Sequence, residues 1–476
     1  MRRFSLSLSL SLSFSLSLSL SLGLGLGLGA QGEFGAGQGA GVRGEVKEAE
    51  FLGWVTAYHP VVEAAALYDD EAAAWARRAR GAFDPVATAS SYEKVFGGTT
   101  YYHVPTAGLE VPLRGPLDAV VGVGTAEGER LNPERYTPDG GVARAGVAVR
   151  LGSGLVTDAR RTALRQAEVY AELNAAKRME ALNDLFWGSA QAFWRWYRAA
   201  RAAEVVGEAE RLAGERLVGV REAWMQGDRA AIDTVEAWGA LERRRAERGT
   251  AEAGRAEAWG AAAAFLADGS GVVPSALPGF DEAAWAAARA QAAALDAVAM
   301  QAVFEELPDR VQLAAEQRNA ELDLRLKREG LKPVVNAEWS LLQGVDATGS
   351  ALSVYASMPL FLRRERAQVA LGTIELERIA LEQEALSLRW SGAVMAEARA
   401  LEDRHATLVA ARAAATAARQ MLDAETARFQ AGESSVFLVI ARETAWLDAE
   451  RSAIDAEAEA MLAARRLQWR LNRPLL

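Results

Sequence analysis

The residues able to do chemistry are few and scattered. His59, His103 and His405 fall in different predicted elements and show no ligand spacing. The 476-residue chain has no cysteine, which removes disulfides, thiolate metal sites, a cysteine nucleophile and a lipid-anchoring cysteine. Ser434, Ser435 and the lone aspartates present no nucleophile beside a base. No glycine-rich phosphate loop follows a strand, so no nucleotide site is expected. The chain reads as a protein without a catalytic centre, metal or cofactor. Its formal net charge of -10 argues against nucleic acid as a partner. What remains is the chemistry of contact, concentrated in Arg428-Phe429-Gln430-Ala431-Gly432-Glu433-Ser434-Ser435-Val436-Phe437-Leu438-Val439. Gly432 is placed to end a helix in the left-handed conformation, and Ser434 or Ser435 to cap the next one. Two long helices joined by so tight a turn run antiparallel, and the turn is an exposed tip where binding concentrates.

The elements that must carry this tip can be read along the chain. Half of the residues are apolar, alanine and leucine are abundant, and prolines number only 13, a composition that favours helix. Short helices are expected over 44–58 and 61–82, then long ones over 155–267, 364–429 and 434–471, with further helices over 281–304 and 309–328. Between them the texture changes. Ala145, Val147, Val149 and Leu151 alternate with Arg144, Gly146, Ala148 and Arg150, which puts apolar residues on one face of a strand. Strands are expected near 86–95, 100–111, 117–126 and 142–151, with 127–141 a polar loop. A second set lies in 334–360, where Val335, Ala337, Trp339 and Leu341 alternate, as do Leu352, Val354, Ala356 and Met358. The aromatic cluster Phe186, Trp187, Phe193, Trp194, Trp196 and Tyr197 reads as packing rather than a ligand site.

The two halves share one order of elements, ending in paired tips. Trp224-Met225-Gln226-Gly227-Asp228 matches Phe429-Gln430-Ala431-Gly432-Glu433, so a duplicated domain is expected. The first repeat spans 44–267, a linker 268–280, and the second repeat 281–476. Arg2 and Arg3 precede an uncharged Ser-Leu and Gly-Leu tract that ends in Leu28-Gly29-Ala30-Gln31. Residues 1–30 read as a secretory signal peptide, with an N-terminal membrane anchor the alternative, and 31–43 as a flexible segment. Strands of about ten residues with one apolar and one polar face suit a closed membrane barrel.

With these motifs in place the chain resembles the TolC-type outer-membrane efflux proteins, the outer-membrane factor family. The resemblance rests on Arg428-Phe429-x-x-Gly432-x-x-Ser435-x-x-x-Val439, on the repeated openings Leu52-x-x-x-x-x-Tyr58-His59-Pro60 and Leu307-Pro308, and on the strand-to-helix passage Gly152-Ser153-Gly154-Leu155-x-x-Asp158-x-Arg160 with its counterpart Met358 to Arg366. It covers about residues 44–472. Leu131-Asn132-Pro133-Glu134 is similar to versions from the Bacteroidetes.

The resemblance implies an α+β membrane protein. It would be a homotrimer in which each protomer gives four strands to a twelve-stranded barrel in outer-membrane lipid. The barrel would continue into a periplasmic α-helical tunnel of coiled-coil hairpins. The implied function is the exit duct of tripartite efflux or type I secretion, a passive conduit opened when a periplasmic adaptor (membrane fusion protein) docks at the tips. An inner-membrane RND or ABC transporter would drive it. Gly227, Asp228, Phe429, Gly432, Ser434 and Ser435 are then the expected adaptor contacts, and Asp233, Phe437, Leu438 and Arg442 the gate candidates.

The sequence departs from that pattern in three ways. It carries four β segments in the first half where two are expected, so the surplus either lengthens the hairpin or bulges outside the barrel. The acidic entrance residues of the family align with Leu438 and Ala441, which favours an apolar closure. Asp233 matches an acidic latch residue whose partners align with Phe429 and Ser434, leaving Arg428 or Arg442 to substitute. Glu443 and Arg442 read as exposed residues beyond the tip. The competing class is an exported coiled-coil interaction protein without a barrel, against which the alternating strands speak.

Overall fold

Where the sequence alternates with a period of two the chain forms strands, and where alanine and leucine run on it forms helix. The computed structural model describes residues 45–266 and 276–473. The expected signal peptide, the segment 31–43 and most of the linker lie outside them. The described residues form one compact unit.

The elements run α1 (Glu48–Tyr58), α2 (Pro60–Gly81), β1 (Val86–Phe96), β2 (Thr99–Pro112), β3 (Leu117–Gly124), β4 (Val142–Arg150), α3 (Ala159–Met225) and α4 (Ala231–Ala263). After the linker come α5 (Glu282–Ala293), α6 (Ala297–Glu306), α7 (Pro308–Glu329), β5 (Val334–Gln343), β6 (Thr348–Ser357), α8 (Arg363–Gln430) and α9 (Val436–Arg470). The single helix expected over 281–304 is two, because the Asp296 carboxylate caps a new start by accepting from the Ala299 amide at 2.7 Å. Helix α3 has 67 residues and α8 has 68, so each reaches about 100 Å at about 1.5 Å per residue. Each is too long for one partner. Helix α3 packs against α2 and α7 along one part and against α4 and α9 along another, and α8 packs against α7 and α9.

The main core sits midway along α3. Phe193, Trp194 and Trp196 are at most 1 % exposed and meet Phe51 of α1, Trp259 of α4 and Met461 of α9. Phe193 stands edge-on to Trp194 and to Trp196, with centroids 5.3 and 5.7 Å away. Burial of a phenylalanine of this kind contributes about 1.5–3 kcal/mol. Beside this core Glu48 is buried against Arg465, whose Nε donates to both carboxylate oxygens at 3.0 Å. Burial pushes the Glu48 carboxyl up even so, outweighing the pull of Arg465.

The strands form one antiparallel sheet in the order β1-β2-β3-β4-β5-β6. The sheet of one chain thus holds six strands, where the resemblance implies four in the barrel. The surplus segments neither lengthen one hairpin nor leave the sheet. Gly97 and Gly98, at φ +62 and +79, make the two-residue turn between β1 and β2, a conformation that L side chains resist at both positions. A second turn over 113–116 sends β3 back, and β2 pairs with β3 from Thr106↔Gly124 to Pro112↔Asp118.

Register places the apolar alternations of β3 to β6 on one side, a face that extends into the halves of β1 and β2 nearest the helices, while farther along those two strands Ser91, Glu93 and His103 lie on that side. Ala89, Ala107, Val123 and Ala143 are aligned across β1 to β4, and Val147, Trp339 and Leu352 across β4 to β6. The other side carries Thr88, Ser90, Thr106, Asp118, Arg144, Arg150, Asn336, Glu338, Ser353 and Tyr355.

Candidate functional site: the helical tips and the two-faced sheet

Both tips are built the same way. At the first, the Gly227 amide donates to the Trp224 carbonyl at 3.0 Å and the Asp228 amide to the Ala223 carbonyl at 2.9 Å. At the second, the Gly432 amide donates to the Phe429 carbonyl at 3.1 Å and the Glu433 amide to the Arg428 carbonyl at 2.9 Å. This is the Schellman pairing, and it requires the left-handed residue that glycine supplies at φ +83 and +80. The choice between the two serines resolves by geometry. Ser435 caps α9, its Oγ accepting from the Leu438 amide at 3.3 Å, while Ser434 donates to the Glu425 carboxylate.

The two tips are joined by a residue that the sequence did not mark. Arg229 donates from Nη2 to the Phe429 carbonyl and from Nη1 to the Ser434 carbonyl, each at 3.2 Å. Its guanidinium also sits 4.5 Å from the Phe429 ring centroid. A single arginine between hydrophobic runs carries no local signal of a partner about 200 positions away. Phe429 is consequently half-buried, packed against the apolar residues around Leu217, Val436 and Val439. Gly227, Asp228, Gly432 and Ser435 are exposed.

The gate candidates are dispersed. Phe437 and Leu438 are 65 % and 44 % exposed on the first turn of α9. Asp233 is half-buried in the first turn of α4, and among the described residues it has no ion-pair partner within 4.0 Å. Neither Arg428 nor Arg442 reaches it within the chain. Arg428 pairs weakly with Glu425 at 4.0 Å, and Arg442 Nη1 lies 3.7 Å from the Met421 sulfur.

Glu443 is a second correction. Expected on the surface, it is fully buried. Arg216 of α3 donates to its Oε2 at 2.6 Å, and Arg244 of α4 donates to its Oε1 at 2.9 Å. Three helices are thus tied together just behind the tips.

At the other end of α3 a polar cluster fixes the passage from strand to helix. Asp118 of β3 accepts from Arg160 at 2.7 Å and from Arg150 at 3.4 Å. Asp158 caps α3 by accepting from the Arg161 amide at 2.8 Å, while the Arg161 side chain donates to the Gly154 carbonyl at 2.6 Å. Above it, Arg144 and Glu338 pair at 3.5 Å on the polar face. From β3 to β6 such a sheet presents charge to one side and aliphatic and aromatic carbon to the other. That is the division a wall between lipid and water requires.

No family model matches the sequence, and no curated protein matches it. Solved structures do match. The open-state outer-membrane channel MtrE of Neisseria gonorrhoeae superposes with a TM-score of 0.66 at 15% identity, over 90% of this chain and 89% of that one. The outer-membrane protein VceC of Vibrio cholerae gives 0.62 at 15% identity, over 90% and 97%. The outer-membrane channel CmeC of Campylobacter jejuni gives 0.64 at 11% identity, over 89% and 85%. At these identities the likeness is one of fold: this chain has the fold of the TolC-type outer-membrane channels.

Proposed function

We propose that the protein is an outer-membrane channel, the exit duct of a tripartite efflux or type I secretion system. The observation that carries this reading is the six-stranded sheet, apolar on one face and polar on the other from β3 to β6, running directly into two helices of 67 and 68 residues. In this reading the chain is exported and forms a homotrimer. The sheets close a barrel in outer-membrane lipid, and the helices line a periplasmic tunnel. The two halves are duplicated copies of one domain.

Transport is passive and comes from an inner-membrane RND or ABC pump through a periplasmic adaptor. The adaptor docks on the exposed tip residues Gly227, Asp228, Gly432 and Ser435, with Ser434 and Phe429 holding the tip shape behind them. Phe437 and Leu438 supply an apolar constriction at the entrance, where water is expelled from a narrow bore, and Arg229 holds the paired tips of each chain together. Asp233 and Arg442, unpaired with each other within one chain, are left to meet a neighbouring copy.

Fractionation tests the channel reading. The protein should sediment with outer membranes and require detergent for release, and recovery in the soluble periplasm would leave the coiled-coil alternative standing. In planar bilayers, Leu438→Ser and Arg229→Ala should each raise the resting conductance. Values equal to wild type for both would place the closure elsewhere.

A further inference from the structure

We propose that all six strands belong to the membrane wall, so that three copies close an eighteen-stranded barrel in which β6 of each copy pairs with β1 of the next. The proposal rests on the homotrimeric channel reading above and concerns how that channel is closed.

Four observations carry it. First, β1 and β6 are the two edges of the sheet, and every residue of both is exposed, so each has one unpaired ladder. In a barrel such edges disappear. Second, the directions agree. Consecutive strands alternate, so β1 leaves the helical end of the sheet and β6 returns to it. The β6 edge of one copy therefore meets the β1 edge of another antiparallel, as every other pair in the sheet does.

Third, the faces agree. Val86 opens β1 shortly after α2 ends at Gly81, and Ser357 closes β6 shortly before α8 begins at Arg363. Setting these helical-side ends opposite each other places Ala89 against Val354 on the apolar side. It places Ser90 against Ser353 and Thr88 against Tyr355 on the polar side. A shift by one residue would invert one whole strand.

Fourth, the stagger fits. The row of paired residues that starts at Val86 passes through Glu110, Val120, Gly146 and Ser340 and reaches β6 at Ala351, six residues short of Ser357. An offset of six residues across six strands is one residue of rise, about 3.3 Å, per strand spacing of about 4.8 Å, a tilt of about 35°. Membrane barrels tilt by about 35–45°.

A twelve-stranded barrel built from β3 to β6 would instead need β3 as an edge. That requires breaking its seven residue pairs with β2 and leaving β1 and β2 outside the wall, although Ala87, Ala89, Ala107 and Leu109 continue the apolar face through the halves of β1 and β2 nearest the helices, beyond which Ser91, Glu93 and His103 follow on the same side. At equal tilt an eighteen-stranded wall is about 1.5 times as wide as a twelve-stranded one. The cargo admitted at the outer mouth is correspondingly larger, with the bore restricted by the helical tunnel rather than by the barrel.

The chain has no cysteine, so paired substitutions report without background. Ser90→Cys with Ser353→Cys in one full-length chain, oxidised in outer membranes and run without reductant, is expected to shift the protein from the mass of one chain to that of three, reversibly on reduction. Directly opposite strand residues lie about 4.5–5.5 Å apart, within disulfide reach. Thr88→Cys or Tyr92→Cys with Ser353→Cys should link far less. The competing closure is probed by Val120→Cys with Ser353→Cys. Linked trimers from that pair, and none from the first, would overturn the eighteen-stranded wall while leaving the channel reading intact. Detergent-extracted protein that runs as a monomer, with no pair linking, would overturn both.

Discussion

Glu443→Ala is expected to destabilise the helices behind the tips by about 3–5 kcal/mol, the usual cost of removing one partner from a buried ion pair. The side chains of Glu443, Arg216 and Arg244 are 0%, 6% and 8% exposed, so water does not screen the loss. Arg244 keeps Glu247 at 3.0 Å and the Thr444 hydroxyl at 2.8 Å. Arg216 keeps no ion pair among the described residues, and its charge would stand alone between helices. The loss should be read as a lower denaturant midpoint for the helical circular dichroism of the purified protein, with faster tryptic cutting at the two tips. The double change Arg216→Leu with Glu443→Leu should recover much of it, because apolar groups of similar size often replace a buried pair without loss. A drop of less than about 1 kcal/mol for Glu443→Ala, the range of solvent-screened pairs, would contradict the burial described here.

For the channel proposed above, Gly432→Val is expected to abolish transport while the barrel still inserts. Space is not the obstacle, since a Cβ at Gly432 would meet nothing within 4 Å. The obstacle is the backbone. At φ +80 an ordinary L residue is strained by about 1–2 kcal/mol, and a β-branched one is disfavoured further. Relief comes from rotating out of the left-handed region, which breaks the Glu433-to-Arg428 hydrogen bond and reorients Ser435, the cap of α9. The surface offered to an adaptor then changes although no contacting side chain has been removed. Gly432→Asn should retain most transport, because asparagine tolerates this conformation. Loss of export in both variants would implicate the bare glycine surface itself, and normal export by the valine variant would remove the tip from docking.

What the residues determined alone was local. Alternation over 142–151, 334–341 and 352–358 marked the strands and their faces, because a strand sends successive side chains to opposite sides whatever lies beyond it. Gly227 and Gly432 marked the tips because a left-handed helix end is a property of about six consecutive residues. The lengths of α3, α8 and α9 followed from unbroken helix-forming sequence between those signals. The aromatic cluster of α3 was legible as core, since so many rings on one helix must be covered.

The tertiary structure decided what depends on partners far away in the chain. Glu443 looks like any glutamate of a solvated helix until Arg244, 199 positions earlier, is brought against it. Arg229 has no meaning without the carbonyls of the other tip. The four β segments of the first half were visible individually, but their count in one sheet was not. Nothing local distinguishes a hairpin that leaves a sheet from one that adds to its edge. The pairing of β2 with β3 settles that, and it is a relation between strands rather than a property of either one.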